Sequence, residues 1–210
     1  DTTPITVDQM IYHARAVVRA CHHCLVVCDM PFGSYQVSRE DGIRNAIRII
    51  KETGAGAVKM EGGKEIADTV KGIVDAGIPV IGHLGLTPQS IHKFGGYGLR
   101  AKEDTEAEKL IEDALALDAA GVSGITLEKV PAALANKVTA MVKAATIGIG
   151  AGNGTDGQVL VYADALGMTS EFKPKFLRHF ANVNKCMTEG VMEYIRCVKS
   201  ESFPSEAESY

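Results

Sequence analysis

Short β-branched apolar runs alternate along this chain with longer stretches whose apolar residues recur at helical spacing, separated by small-residue punctuation. The runs cover residues 24–29, 57–61, 79–83, 124–128 and 146–150, with a weaker one at 158–162. Three of the intervening helices should close in glycine-containing turns, at 53–56, 75–77 and 119–121, because glycine accepts the left-handed conformation that ends a helix. Ser38, with Asp41 three residues on, predicts the start of a helix carrying Ile43, Ala46, Ile47 and Ile50 on one face. Asp8, Thr105 and Pro131 mark other first turns. Ile66, Val70, Ile73 and Val74 form a single apolar stripe, as suits a helix lying on one face of a sheet. Residues 176–199 read as one or two amphipathic helices.

The class is therefore α/β, and connections of this length predict right-handed parallel crossovers. Periodicity alone fits both an open doubly wound sheet and a closed barrel. The strand ends favour the barrel, because polar residues finish four of the runs: Asp29, Lys59 with Glu61, His83 and Glu128. A barrel gathers such residues at one mouth. On this reading residues 1–200 make a single barrel domain and 201–210 a polar tail, although the predicted strands fall short of the eight a closed ring needs.

Composition agrees with one sizeable core: 46% of the 210 residues are apolar, which excludes a disordered tail, a collagen-like rod or a disulfide-stapled miniprotein. The balance of 22 Lys and Arg against 26 Asp and Glu leaves a net charge of −4, with no basic run of the kind nucleic acid demands. Apolar stretches such as 78–86 are broken well short of the roughly twenty residues of a membrane helix. Five cysteines at irregular positions suit free thiols in a reducing compartment, the cytoplasm or the mitochondrial matrix. The opening residues contain no Met and no leader pattern, so the chain reads as an interior portion of a longer product.

Asp29, Glu61 and Glu128 sit at the ends of otherwise apolar strands, where unpaired carboxylates are costly, and such a cluster wants a cation. A hard ion such as Mg²⁺ is held by one or two carboxylates plus waters and substrate oxygens. Lys59, on the same face as Glu61, could hold a substrate carboxylate; the alternative is a structural ion pair between the two. His83 ends its strand either at an active-site rim or as a hydrogen-bonded structural residue. Residues 94–97, Phe-Gly-Gly-Tyr, belong to a long connection that is either a lid or a surface loop. The glycines at 148, 150 and 152 lack the spacing of a dinucleotide fingerprint and instead suit close approach of backbone to ligand. Cys21-His22-His23-Cys24 has metal-clip content but no second pair at finger-like spacing. Serine-hydrolase and zincin motifs are absent from the sequence.

Several segments, in order, resemble one family: Asp29-Met30-Pro31-Phe32, Val58-Lys59-Met60-Glu61-Gly62-Gly63, the run 82–90 (Gly-His-Leu-Gly-Leu-Thr-Pro-Gln-Ser), residues 94–97, Leu127-Glu128 with Val130-Pro131, and the run 147–152 with Asp156-Gly157-Gln158. The family is that of ketopantoate hydroxymethyltransferase. The resemblance implies a (β/α)₈ TIM barrel of the phosphoenolpyruvate/pyruvate superfamily, with the first two βα units and a metal-ligating Gly-Asp-Ser missing from this chain. It implies transfer of a hydroxymethyl group from 5,10-methylenetetrahydrofolate to 3-methyl-2-oxobutanoate, a step of pantothenate and coenzyme A synthesis. By the same analogy Asp29 and Glu61 ligate Mg²⁺ or another divalent cation, Asp29, Lys59 and His83 bind or adjoin the substrate, and Glu128 removes its C3 proton. The partners implied are the 2-oxoacid, the folate and other copies of the chain in a homodecamer. Around Arg100-Ala101-Lys102 the family more often carries a Gln-Gly pair, so this loop departs from its pattern. The rival readings are a non-catalytic barrel fragment and a related Mg²⁺-dependent 2-oxoacid carbon–carbon lyase working without folate.

Overall fold

A computed structural model describes residues 2–169 and 171–210. It divides into two compact units, Asp1–Val159 and Leu160–Tyr210, where the sequence suggested one domain through residue 200.

In the first unit the apolar runs become β1 (Val27–Asp29), β2 (Ala57–Glu61), β3 (Val80–Gly85), β4 (Gly124–Glu128), β5 (Ala145–Ile149) and β6 (Gly157–Gln158). All neighbours pair in parallel, and the strand order follows the chain, β1-β2-β3-β4-β5-β6. A doubly wound sheet reverses its order at a switch point. No reversal occurs here, so the sheet is singly wound and forms a six-strand parallel half-barrel. The covering helices α1 (Val7–Ala20), α2 (Arg39–Thr53), α3 (Ala67–Asp75), α5 (Asp104–Ala120) and α6 (Ala132–Met141) pack side by side in the same sequence, α1 on α2, α2 on α3, α3 on α5 and α5 on α6. A four-residue helix, α4 (Ile91–Phe94), follows β3.

Local chemistry accounts for the helix ends. Ser38 accepts from the Asp41 N–H as the expected cap, and Thr6 with Gln9 completes a capping box ahead of α1. Gly54 and Gly121 close α2 and α5 in the left-handed region, at φ 75° and 93°. The buried stripe of α2 is rotated from the predicted one: Ala46 and Ile49 are fully buried, whereas Ile47 is exposed. Core packing centres on Ile49, Val58, Met60, Val70, Ile73, Leu117, Ile125 and Leu127.

The weak run at 158–162 pairs over only two residues. After Val159 donates to the Gly148 carbonyl, the amides of Asp164 and Ala165 turn back to the Val161 carbonyl and wind α7 (Tyr162–Ala165) instead of continuing the ladder. Asp156, in the turn before β6, accepts from the Thr146 N–H at 2.7 Å and its hydroxyl at 2.9 Å. These bonds hold the carboxyl below its ordinary value. Because the folded-state value is depressed, the contribution is present above the unfolded pKa and is lost as pH falls through the folded one. Thermal melts of Asp156→Asn should therefore lie below wild type at neutral pH and converge on it in acid; parallel curves at every pH would refute this role.

In the second unit, α8 (Val183–Lys199) is capped by Asn182, and the Phe180 and Val183 amides bond to the Ala165 and Leu166 carbonyls. Residues 176–182, included in the predicted helical stretch, lie outside α8, and the 201–210 tail carries the short turn Glu206–Glu208.

Candidate active site

Parallel register sets Asp29 beside Lys59, Glu61 beside His83, and Gly85 beside Glu128. Since alternate side chains share a face, Lys59 and Glu61 point away from Val58 and Met60, which are fully buried in the core. All five predicted site residues line one cavity of ≈ 330 Å³, whose apolar lining includes Ile5 and Met10.

The Lys59 ammonium lies 3.2 Å from Asp29 Oδ2, 3.2 Å from His83 Nδ1 and 4.0 Å from Glu61 Oε1. The His83 ring, 3% exposed, spans the two remaining carboxylates, with Nδ1 3.6 Å from Glu61 Oε1 and Nε2 3.2 Å from Glu128 Oε2. Burial disfavours its charged form, but the Glu128 and Glu61 carboxylates outweigh burial and the opposing Lys59 charge, leaving the net displacement upward. The approach to Glu128 is close yet off the line of a well-formed hydrogen bond, so Nε2 is a buried polar atom without a hydrogen-bond partner. An unsatisfied buried nitrogen beside carboxylates is what a site completed by a polar ligand looks like. The pairing of Lys59 with Glu61 is real, but the same ammonium also faces Asp29 and His83, so it is one member of a larger cluster.

Glu128 reaches the cluster because β3 ends abruptly. Gly85 adopts φ 89°, and the next amide, Leu86 N–H, donates to the Glu128 carbonyl at 2.8 Å. A Cβ at position 85 would lie 2.3 Å from that carbonyl oxygen, so glycine is required there by both conformation and space.

Two residues absent from the predicted set touch Glu61. The Gln89 N–H donates to Glu61 Oε2 at 2.8 Å, and the Tyr35 hydroxyl accepts from the Glu61 N–H at 3.0 Å. Gln89 lay inside the resembling run 82–90, whereas Tyr35 carries no signal beyond being an aromatic in a polar loop.

Among the described residues no group of three His, Cys, Asp or Glu side chains is placed to hold a metal ion. Asp29 and Glu61 nevertheless flank one positive centre, and Asp29 is 47% exposed. Two carboxylates fit a hard divalent cation whose remaining ligands are water and substrate oxygens.

The loop after α4 is tied down next to Glu128, at Lys129. Arg100 stacks its guanidinium 4.0 Å over the Phe94 ring and donates its backbone N–H to the Lys129 carbonyl, while Lys129 Nζ bonds the Tyr97 carbonyl. Around Gly148, the close approach expected of a ligand is made by the chain itself: a Cβ there would meet Thr155 Oγ1 at 2.7 Å and the Gln158 amide at 3.0 Å.

Residues 1–206 match the family pattern described as Ketopantoate hydroxymethyltransferase. A Flavobacterium johnsoniae protein named 3-methyl-2-oxobutanoate hydroxymethyltransferase is 58% identical over 209 residues, covering 100% of this chain and 77% of that protein. One of the same name from Bacteroides fragilis is 56% identical with the same coverage. Among solved structures, phosphonopyruvate hydrolase superposes with a TM-score of 0.53 at 12% identity, over 99% of this chain and 74% of that one, a likeness of fold. Half-barrel, polar cluster and sequence agree: this chain belongs to the ketopantoate hydroxymethyltransferase family.

Proposed function

We propose that this chain transfers a hydroxymethyl group to 3-methyl-2-oxobutanoate, forming ketopantoate, with 5,10-methylenetetrahydrofolate as the one-carbon donor. The single observation that carries the reading is the convergence of Asp29, Lys59, Glu61, His83 and Glu128 on one cavity beside apolar Ile5 and Met10. That lining suits a small branched acid, with charge at one end and alkyl groups at the other.

Asp29 and Glu61 would hold a divalent cation, Mg²⁺ being the natural candidate, which when bound supplies positive charge toward the keto-acid oxygens. Lys59 takes the substrate carboxylate, exchanging part of its pairing with Asp29 for the new anion. Glu128 accepts the C3 proton, and the resulting enolate carbon bonds to the methylene carbon of the folate, whose two carbon–nitrogen bonds break as water supplies the hydroxyl oxygen and tetrahydrofolate leaves carrying the protons. His83 faces Glu128 Oε2 at 3.2 Å, its charged form favoured by that carboxylate.

Within the same reading, the six strands are six of the eight in a (β/α)₈ barrel of the phosphoenolpyruvate/pyruvate superfamily, and the assembly is a homodecamer. No described helix is long and apolar enough to cross a membrane. The quoted relatives are bacterial, which supports the cytoplasm and lends the mitochondrial matrix nothing.

The test follows the C3 proton of 3-methyl-2-oxobutanoate by NMR in D₂O with Mg²⁺, then adds the folate. Exchange, followed by folate-dependent ketopantoate, is expected. Absence of exchange would sink the enolate step, and carbon–carbon cleavage without folate would point to a lyase.

A further inference from the structure

The Glu61 carboxylate is divided between two environments. Oε1 faces Lys59 at 4.0 Å and His83 at 3.6 Å, whereas Oε2 accepts the Gln89 backbone N–H at 2.8 Å. That N–H belongs to a single 3₁₀ turn, Pro88–Ser90, too short to hold its direction through its own hydrogen bonds.

The Gln89 side chain supplies the missing constraint. Its Nε2 donates to the Met30 carbonyl at 2.9 Å, just beyond the end of β1, and its Oε1 accepts from the Tyr35 hydroxyl at 3.0 Å. Tyr35 is 2% exposed, and its oxygen in turn accepts the Glu61 N–H at 3.0 Å. The circuit thus closes on Glu61 from two sides, through its backbone and through Oε2, and links the ends of β1, β2 and β3. The Tyr35 hydroxyl also lies 3.1 Å from the Glu61 carbonyl, but the Met30 contact sets the amide's orientation, since reversing it would place the amide oxygen against the Met30 carbonyl. Gln89 therefore aims its own backbone N–H by anchoring its side chain.

We propose that Tyr35 and Gln89 are positioning residues for Glu61, fixing the carboxylate so that Oε1 is presented to Lys59 and His83. The inference rests on the function proposed above. Gln89 also lines the cavity, but its side-chain amide is engaged by the Met30 carbonyl and the Tyr35 hydroxyl, so both residues act through Glu61.

Gln89→Met keeps side-chain length and removes both amide bonds; Tyr35→Phe removes only the hydroxyl. Each should lower the kcat of C3 exchange about 10- to 100-fold, since small misplacements of catalytic groups cost rates of this order, with KM changed far less. In a Glu61→Gln background, Gln89→Met should cost nothing further, because the two act as one unit. Wild-type kcat in Gln89→Met, or an undiminished loss added to that of Glu61→Gln, overturns the proposal by showing that Gln89 only fills space. A crystal structure of Gln89→Met gives a readout independent of turnover: the carboxylate should be turned away from Lys59 and His83, and an unmoved Glu61 overturns the proposal. A wild type without C3 exchange would instead overturn the functional reading, and the variant's structure would still decide whether Gln89 orients Glu61.

Discussion

Replacing Glu128 with glutamine should abolish most C3 proton exchange while leaving the fold intact. The side chain, 18% exposed, enters the cavity from the end of β4 with Oε2 3.2 Å from His83 Nε2. Glutamine matches its shape, and the bond that joins β4 to the end of β3, Leu86 N–H to the Glu128 carbonyl, uses backbone alone. The amide, however, does not take a proton from carbon. General-base catalysis contributes typically about 10²- to 10⁴-fold, so exchange and folate-dependent turnover should fall together by that amount. Melting within about 1 kcal/mol of wild type should accompany the loss, as for an isosteric change in a partly exposed side chain. Exchange at the wild-type rate in Glu128→Gln would remove Glu128 from the role of base.

Lys59→Met should be the most damaging change to both binding and stability. The ammonium is 19% exposed and stands among Asp29, Glu61 and His83, while the Glu61 side chain is only 6% exposed. Methionine retains most of the stem but removes the ammonium that pairs with both Asp29 and Glu61. Removing one partner of a buried ion pair costs about 3–5 kcal/mol. Asp29 is half exposed and screened by solvent, which places the expected loss near the low end, about 3 kcal/mol. The substrate carboxylate also loses its partner, so KM for the keto acid should rise about 30-fold or more, the equivalent of about 2 kcal/mol. Calorimetric unfolding and a KM measurement on the same preparation check both effects. A variant that melts like wild type and binds the acid normally would show that Lys59 has neither role.

Much of the architecture was legible along the chain. Strands β2 and β4 fall on the predicted bounds, because each is rich in buried apolar residues and closes at a carboxylate, Glu61 or Glu128. Glycine and serine at the helix ends act locally, and their turns and caps appear where predicted, at Gly54, Gly121 and Ser38. The misses arise where long-range packing overrides local pattern. Ile47 and Ile49 are equally apolar, and only contact with the sheet decides which is buried. At 158–162 the β-branched residues suggest a strand, yet pairing stops after two residues and the chain winds into α7.

Within the candidate site, alternation along β2 was enough to put Lys59 and Glu61 on one face, since side chains on a strand change sides at every residue. Identity of the five polar residues in and at the ends of these strands, and their likeness to one family, also needed no coordinates. What the tertiary structure alone decided is which atoms meet. Parallel register brings Glu61 to His83, the left-handed Gly85 lets β4 deliver Glu128 to the same ring, and the Tyr35 hydroxyl and the Gln89 N–H bond the Glu61 backbone amide and carboxylate respectively. Alternation and capping are short-range properties, carried by neighbours in the chain. Convergence across strands and loops depends on sheet register and on hydrogen bonds spanning as many as 59 residues, which no local pattern encodes.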